Sequence, residues 1–241
     1  MNTQSFTGFS REVRYDRRRW SILMEKRRRA LKVLTDLQKC GVLHAFAHGS
    51  IARGDVDEDS DVDIVVFDSK SNSIVAYCLE KNGYSIYSVS IVQATPRHTP
   101  KIYVYLDALE ELCVSIPLVQ LSPMEVEYYR FSGMVGLEDI VANARVMGVD
   151  KRLMLIAPTE FGHTEFPVIG NEGYIARVLG ISLASVMDRV EALSRRVEEG
   201  HTGLFIKIEL PEFEQLESAI DKLCVENSLF RRRVEEYGLC T

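Results

Sequence analysis

Between residues 16 and 39 the apolar positions recur at a helical period: Trp20, Leu23, Met24, Ala30, Leu31, Val33, Leu34 and Leu37. Asp16 is the expected N-cap of this helix and Gly41 its expected stop. The period then changes. Residues 42–48, VLHAFAH, read as a short apolar strand, and residues 62–67, VDIVVF, as a β-branched run suited to a buried strand. Residues 72–82 predict a helix closed by the Asn82-Gly83 pair, and residues 84–92 alternate as a strand. Residues 101–106 and 112–119 predict two strands joined by a short turn, with Pro117 at a sheet edge or strand end.

The second half is more helical. Residues 123–150 carry a helical pattern interrupted by Gly133, Gly136 and Gly148. Residues 151–156 and 165–169 predict a hairpin around Phe161-Gly162-His163, in which His163 reads as a turn histidine. Residues 172–197 read as helix, turn and helix, with the turn at Gly180-Ile181-Ser182 and Ser182 as N-cap. A strand over 203–210 follows a Gly-rich turn (Gly200, Gly203), as in a winged helix, and Pro211 opens a charged amphipathic helix over 212–236.

Composition sharpens this picture. A chain of 241 residues, 46 % hydrophobic and 27 % charged, is long enough to bury a core without staples. Disorder, collagen and disulfide miniproteins are excluded. No apolar run approaches the ~20 residues of a membrane span, and the N-terminus is too polar for a signal peptide. The net charge of −6 conceals an asymmetry: residues 1–40 hold eleven Lys/Arg against four Asp/Glu, a net of +7, which leaves −13 for the rest. A basic head on an acidic body points to an anionic partner or to a solvated helix face. The five cysteines, Cys40, Cys78, Cys113, Cys224 and Cys240, are odd in number and form no CxxC. They read as reduced thiols of a cytoplasmic protein, and neither they nor the five histidines show zinc-ligand spacing.

The chemistry concentrates in residues 48–67, HGSIARGDVDEDSDVDIVVF. Gly49-Ser50 closes a strand and opens a tight turn whose glycine lets the backbone approach a ligand. Ser50 and the neighbouring amides form a small polar cradle suited to phosphate, and Arg53 can reach the same phosphates. Asp61 and Asp63 share one face of a strand, roughly 6–7 Å apart. Two carboxylates so placed repel each other unless a cation sits between them. Oxygen ligands beside a phosphate cradle suggest Mg²⁺, or Mn²⁺, clamping a nucleotide for phosphoryl or nucleotidyl transfer.

This string resembles the signature of the polymerase-β-like nucleotidyltransferase superfamily: Gly49, Ser50, Arg53, Gly54, Ser60, Asp61 and Asp63 all fit. The resemblance implies an α+β fold. A nucleotidyltransferase domain, a mixed sheet flanked by helices, occupies residues 1–122 with the basic helix at its head. A helical connector and hairpin span 123–170, and a small winged-helix-like α/β region spans 171–241. It implies that Gly49, Ser50, Arg53 and Ser60 bind the nucleotide. Asp61 and Asp63 hold two divalent metals, and a nucleoside monophosphate passes from a nucleoside triphosphate to an acceptor with release of pyrophosphate. One departure is visible. The superfamily carries a third carboxylate on a later strand, and Ser115 stands where it would sit. Glu111 shares that strand face but lies about 13 Å along it. Asp107 ends the neighbouring strand, as a third ligand or as a turn former.

The basic residues suggest the acceptor. Arg17–Arg19 and Arg27–Arg29 precede the phosphate turn, and Arg189, Arg195 and Arg196 lie on or beside the second helix of the helix-turn-helix. Arg17, Arg18, Arg27, Arg28, Arg189 and Arg195 are the candidate contacts to a nucleic acid. Pairing with the acidic body, or plain packing of the helix pair, is the competing reading. Two functions therefore stand: a metal-dependent nucleotidyltransferase acting on an acceptor that includes nucleic acid among its candidates, or a nucleotide-binding regulator with weakened catalysis that binds DNA or RNA. A third, an antitoxin-like protein partner, shares the motif but is usually shorter.

Overall fold

The computed structural model describes residues 10–68, 72–200, 203–210 and 213–240. The first half comprises β1 (Arg11–Arg14), α1 (Arg17–Lys39), β2 (Ala45–His48), α2 (Ser50–Arg53), β3 (Val62–Val66), α3 (Asn72–Lys81), β4 (Ser88–Gln93), β5 (Lys101–Tyr105) and β6 (Leu112–Pro117). There follow α4 (Pro123–Ser132), β7 (Met134–Val135), α5 (Leu137–Val141), β8 (Gly148–Val149), β9 (Met154–Thr159) and β10 (Gly162–Pro167). The last elements are α6 (Glu172–Leu179), α7 (Leu183–Glu199), β11 (Ile206–Leu210), α8 (Leu216–Glu226) and α9 (Ser228–Val234). The fold is α+β, as the pattern predicts, but the chain interleaves two compact units rather than dividing in sequence. One holds residues 1–28, 47–60 and 123–202, the other 29–46, 61–122 and 203–241.

Helix α1 starts where its cap residue places it. The Arg19 amide donates to Asp16 Oδ1 at 2.8 Å, and Tyr15 and Trp20 pack ring to ring across the cap at 5.0 Å. Its buried residues are Leu23, Lys26, Arg27, Ala30, Val33, Leu34, Asp36 and Leu37, so two cations and one acid lie among the apolar ones, while Met24 stays 58 % exposed.

In the first unit, antiparallel strands β1, β10, β9 and β8 form one sheet, and the end of β2 pairs with β7. Phe131, Val149, Leu155, Val168, Ile175 and Val186 form its apolar core with the α6–α7 pair. Gly180 takes the left-handed conformation at the end of α6, and the Ser182 hydroxyl caps α7 by accepting from the Ser185 amide.

In the second unit the sheet runs β11-β4-β5-β6-β3. It is mixed: β3 and β6 are parallel, the other ladders antiparallel. Ile64, Val66, Ile102, Val104, Val114 and Ile116 lie on one face and are fully buried. After α7, β11 pairs with β4 in register Ile208↔Ile91, its alternating apolar residues finding an apolar sheet edge, and among the described residues it has no other partner strand. The charged helix expected over 212–236 is broken at Asn227, whose side chain caps α9 by accepting from the amides of Leu229 and Phe230. The proposed helix start at Pro211 lies outside the described residues.

The thiol expectation is corrected. Cys40 joins Cys78 and Cys224 joins Cys240 in disulfides, leaving Cys113 as the free cysteine among the described residues. Sequence spacing missed them because the fold brings Cys40, just after α1, to Cys78 on α3 across 38 residues, with Cα atoms 6.0 Å apart. Among the described residues no helix is long and apolar enough to cross a membrane.

Candidate active site

In the first unit the chain leaves β2 through Gly49, at φ 73° and ψ −140°, a conformation that only glycine adopts without strain. The Gly49 amide donates to the Gly133 carbonyl at 2.9 Å, and the Gly49 carbonyl accepts from the amides of Ala52 and Arg53 at 3.1 Å. Ser50 thus opens the one-turn helix α2 and sits half-buried at its start, as the turn reading requires.

Arg53 does something else. It is 6 % exposed and its guanidinium is spent inside the unit: Nε and Nη2 donate to the two Asp55 oxygens at 3.0 Å, and Nη1 donates to the carbonyls of Ser132 and Val149. It braces the turn instead of reaching a phosphate. Ser60 is likewise a turn residue, its hydroxyl donating to Asp57 Oδ1 at 2.7 Å and accepting from the Asp57 amide at 3.0 Å. Lys26 reaches the same loop, donating to the carbonyls of Glu58 and Ser60.

In the second unit, Asp61 precedes β3 and is exposed, and Asp63 lies on β3 half-buried. The parallel ladder aligns Asp63 with Cys113 and Val65 with Ser115. Directly paired residues point to the same sheet face, so the position beside the Asp63 carboxylate belongs to Cys113. Ser115, which the resemblance puts at the third-carboxylate position, pairs with Val65 instead. Ser115 shares the face one pair further on, its hydroxyl donating to the Ile64 carbonyl at 3.3 Å. Cys113 is 3 % exposed, and burial, reinforced by the nearby Asp63 carboxylate, pushes its thiol well above the usual range and keeps it neutral. The next residue in this row, on β5, is Tyr105. Burial, with Cys113, Glu110, Asp63 and Asp61 nearby, pushes its hydroxyl up to about 12.

The two acids held as third-ligand candidates are engaged elsewhere. Arg29 on α1 donates to Asp107 Oδ2 at 2.5 Å and to Glu111 Oε2 at 3.0 Å. Asp107 Oδ1 also accepts from the amides of Leu109 and Glu111, the signature of a turn former. Among the described residues no group of three or more His, Cys, Asp and Glu side chains is placed to hold a metal ion. Asp61 and Asp63 are oxygen donors which, with phosphate oxygens and water, would suit a hard divalent cation; among the described residues no third carboxylate joins them.

The basic residues divide. Arg27 is 4 % exposed and donates to Asn143 Oδ1 and the Ala144 carbonyl. The Arg189 guanidinium lies 5.3 Å from the Tyr128 ring centre, its pKa drawn down chiefly by burial. Arg27 thus packs inside the unit, whereas Arg189 is half-buried beside Tyr128. Arg17 is exposed, and Arg18, Arg28 and Arg195 are exposed and pair with Glu58, Glu25 and Glu191. His163, read as a turn residue, lies on β10 and is 1 % exposed. Its Nδ1 is 2.6 Å from the Tyr15 hydroxyl, and its Nε2 is 3.4 Å from Glu165, which Arg152 holds in turn.

Residues 27–115 match the Nucleotidyltransferase domain family, and this part of the chain is a nucleotidyltransferase domain, consistent with the polymerase-β-like superfamily. No curated protein matches the chain.

Proposed function

We propose that the protein is a metal-dependent nucleotidyltransferase that moves a nucleoside monophosphate from a nucleoside triphosphate to an acceptor. The observation that carries this reading is the Asp61–Asp63 pair entering β3 within a matched nucleotidyltransferase domain. Asp61 and Asp63 hold Mg²⁺ or Mn²⁺, and Gly49 and Ser50 receive the triphosphate. When bound, the ion neutralises charge on the polyphosphate, the main requirement of this chemistry. The carboxylates orient it, and the Gly49 backbone lets phosphate oxygens approach. A nucleic-acid acceptor is favoured by the exposed Arg17, Arg18, Arg28 and Arg195.

The test is incubation of the purified chain with Mg²⁺ or Mn²⁺, labelled nucleoside triphosphates and candidate acceptors. Labelled acceptor or released pyrophosphate is expected, and both should vanish in Asp61→Ala/Asp63→Ala. Equal activity in the double variant overturns the assignment. A second reading, a nucleotide-binding regulator with weakened turnover, is favoured by the neutral Cys113 beside Asp63. Tight nucleotide binding without pyrophosphate release, together with a nucleotide-dependent shift of duplex DNA or RNA, would select it.

A further inference from the structure

The face of the second unit's sheet that carries Asp63 continues away from the carboxylates with a composition unlike the opposite face. Along one row the ladders align Asp63, Cys113, Tyr105 and Ser88; along the next they align Val65, Ser115, Tyr103 and Ser90. On β5 the alternation separates the two faces cleanly: Ile102 and Val104 are 0 % exposed, whereas Tyr103 and Tyr105 remain partly exposed. The half-exposed face of β5 is aromatic where its buried face is aliphatic. It carries two phenol rings, two strands from the acid pair, a lateral distance of roughly 10 Å.

The rings are ordered against each other. Tyr103 and Tyr105 stack with centroids 6.4 Å apart and planes 21° from parallel, because residues two apart on a strand project side by side. Beside Tyr103, the hydroxyl of Ser90 is buried and has no hydrogen-bond partner among the described residues. Near-parallel aromatic faces next to a polar group suit a flat heteroaromatic ring with hydrogen-bonding edges. Base-on-aromatic stacking is worth about 1–3 kcal/mol per base and tolerates any base. In a nucleotide linked through a divalent cation to Asp61 and Asp63, the ribose sets the base apart from the phosphates, so the base reaches past the acid pair toward the neighbouring strands.

We propose that the Tyr103–Tyr105 pair is the stacking platform for the base of the nucleotide whose phosphates a divalent cation would link to Asp61 and Asp63; this rests on the nucleotidyltransferase reading above. The phosphates then supply affinity common to all nucleotides, and the tyrosines supply the preference for a nucleotide over a bare polyphosphate.

The test is calorimetric titration of the full chain, in Mg²⁺, with each of the four nucleoside triphosphates and with inorganic tripolyphosphate. In Tyr103→Leu/Tyr105→Leu, nucleotide affinity should fall about tenfold while tripolyphosphate affinity stays constant. Tyr103→Phe/Tyr105→Phe, which keeps both rings, should bind nucleotide like the wild type. Quenching of a 2-aminopurine nucleoside triphosphate on the wild-type chain gives the same readout without substitution, and absence of quenching on binding overturns the platform. So does unchanged nucleotide affinity in the Leu variant, an equal fall for tripolyphosphate, or a wild type that binds tripolyphosphate as tightly as nucleotide. A wild type that binds neither ligand overturns the nucleotidyltransferase reading as well.

Discussion

Cys113 stands directly opposite Asp63 across the parallel β3–β6 ladder. A neutral, buried thiol therefore occupies the place beside the acid pair. Replacing it by a carboxylate, Cys113→Asp, buries a charge next to Asp63 and should lower the melting temperature in EDTA. Mg²⁺ should restore much of the loss and bind more tightly than to the wild type. Thermal melts with and without Mg²⁺ check this; a variant that Mg²⁺ leaves unstabilised would show that Cys113 does not face the cation.

Asp107 and Glu111 are clasped by Arg29. Arg29→Met should destabilise the chain by about 1–3 kcal/mol, the range for hydrogen bonds to charged groups in a partly exposed cluster. Asp107→Asn and Glu111→Gln should leave Mg²⁺ affinity unchanged. Urea unfolding and calorimetry measure the two effects, and a loss of Mg²⁺ affinity in either acid variant would return that acid to the metal site.

The Arg53–Asp55 pair is nearly buried, with side-chain exposures of 7 % and 10 %. Arg53→Ala leaves Asp55 buried and unpaired and should cost about 3–5 kcal/mol. Arg53→Lys should not recover the loss, because one ammonium cannot serve both carboxylate oxygens and two carbonyls. Denaturant midpoints test this. A variant of normal stability that binds nucleotide weakly would instead make Arg53 a phosphate ligand.

Burial holds the His163 pKa below the ordinary histidine value. Glu165 only accepts, so Nε2–H donates to it and Nδ1 accepts from the Tyr15 hydroxyl, which places the neutral imidazole in the fold. With the folded pKa below the unfolded ~6.5, the unfolded chain binds more protons. The stabilisation is complete above that value and is lost as pH falls through the folded pKa. His163→Gln should flatten the pH dependence of unfolding free energy below pH ~6.5. An unchanged slope would place the titrating group elsewhere.

The disulfides close loops of sequence separation 38 and 16. Mass spectrometry without reductant should find one free thiol per chain, at Cys113. Reduction should destabilise the chain by about 2–4 kcal/mol per bridge. Five alkylatable thiols in the untreated, unfolded protein would contradict both bridges.

What the sequence by itself determined is local. The start of α1 at Asp16, the stop at Gly41, the Gly49-Ser50 turn and the caps of α6 and α7 were all legible, because each depends on residues within one or two turns of one another. The strand that carries Asp63 was legible from its β-branched run, with Asp61 just before it. Only the tertiary structure decided the rest. Cys113 meets Asp63, and Tyr105 joins that row, through strand register, which depends on how whole apolar faces are buried. Arg53 and Arg27 look like free cations in the sequence but are consumed by carbonyls and amides supplied about 80–120 residues later. β11 completes a sheet begun more than a hundred residues earlier, and the cysteines pair across packed elements. A side chain's chemistry is written in its residue type, but whether it is left for a ligand depends on the partners that packing brings to it.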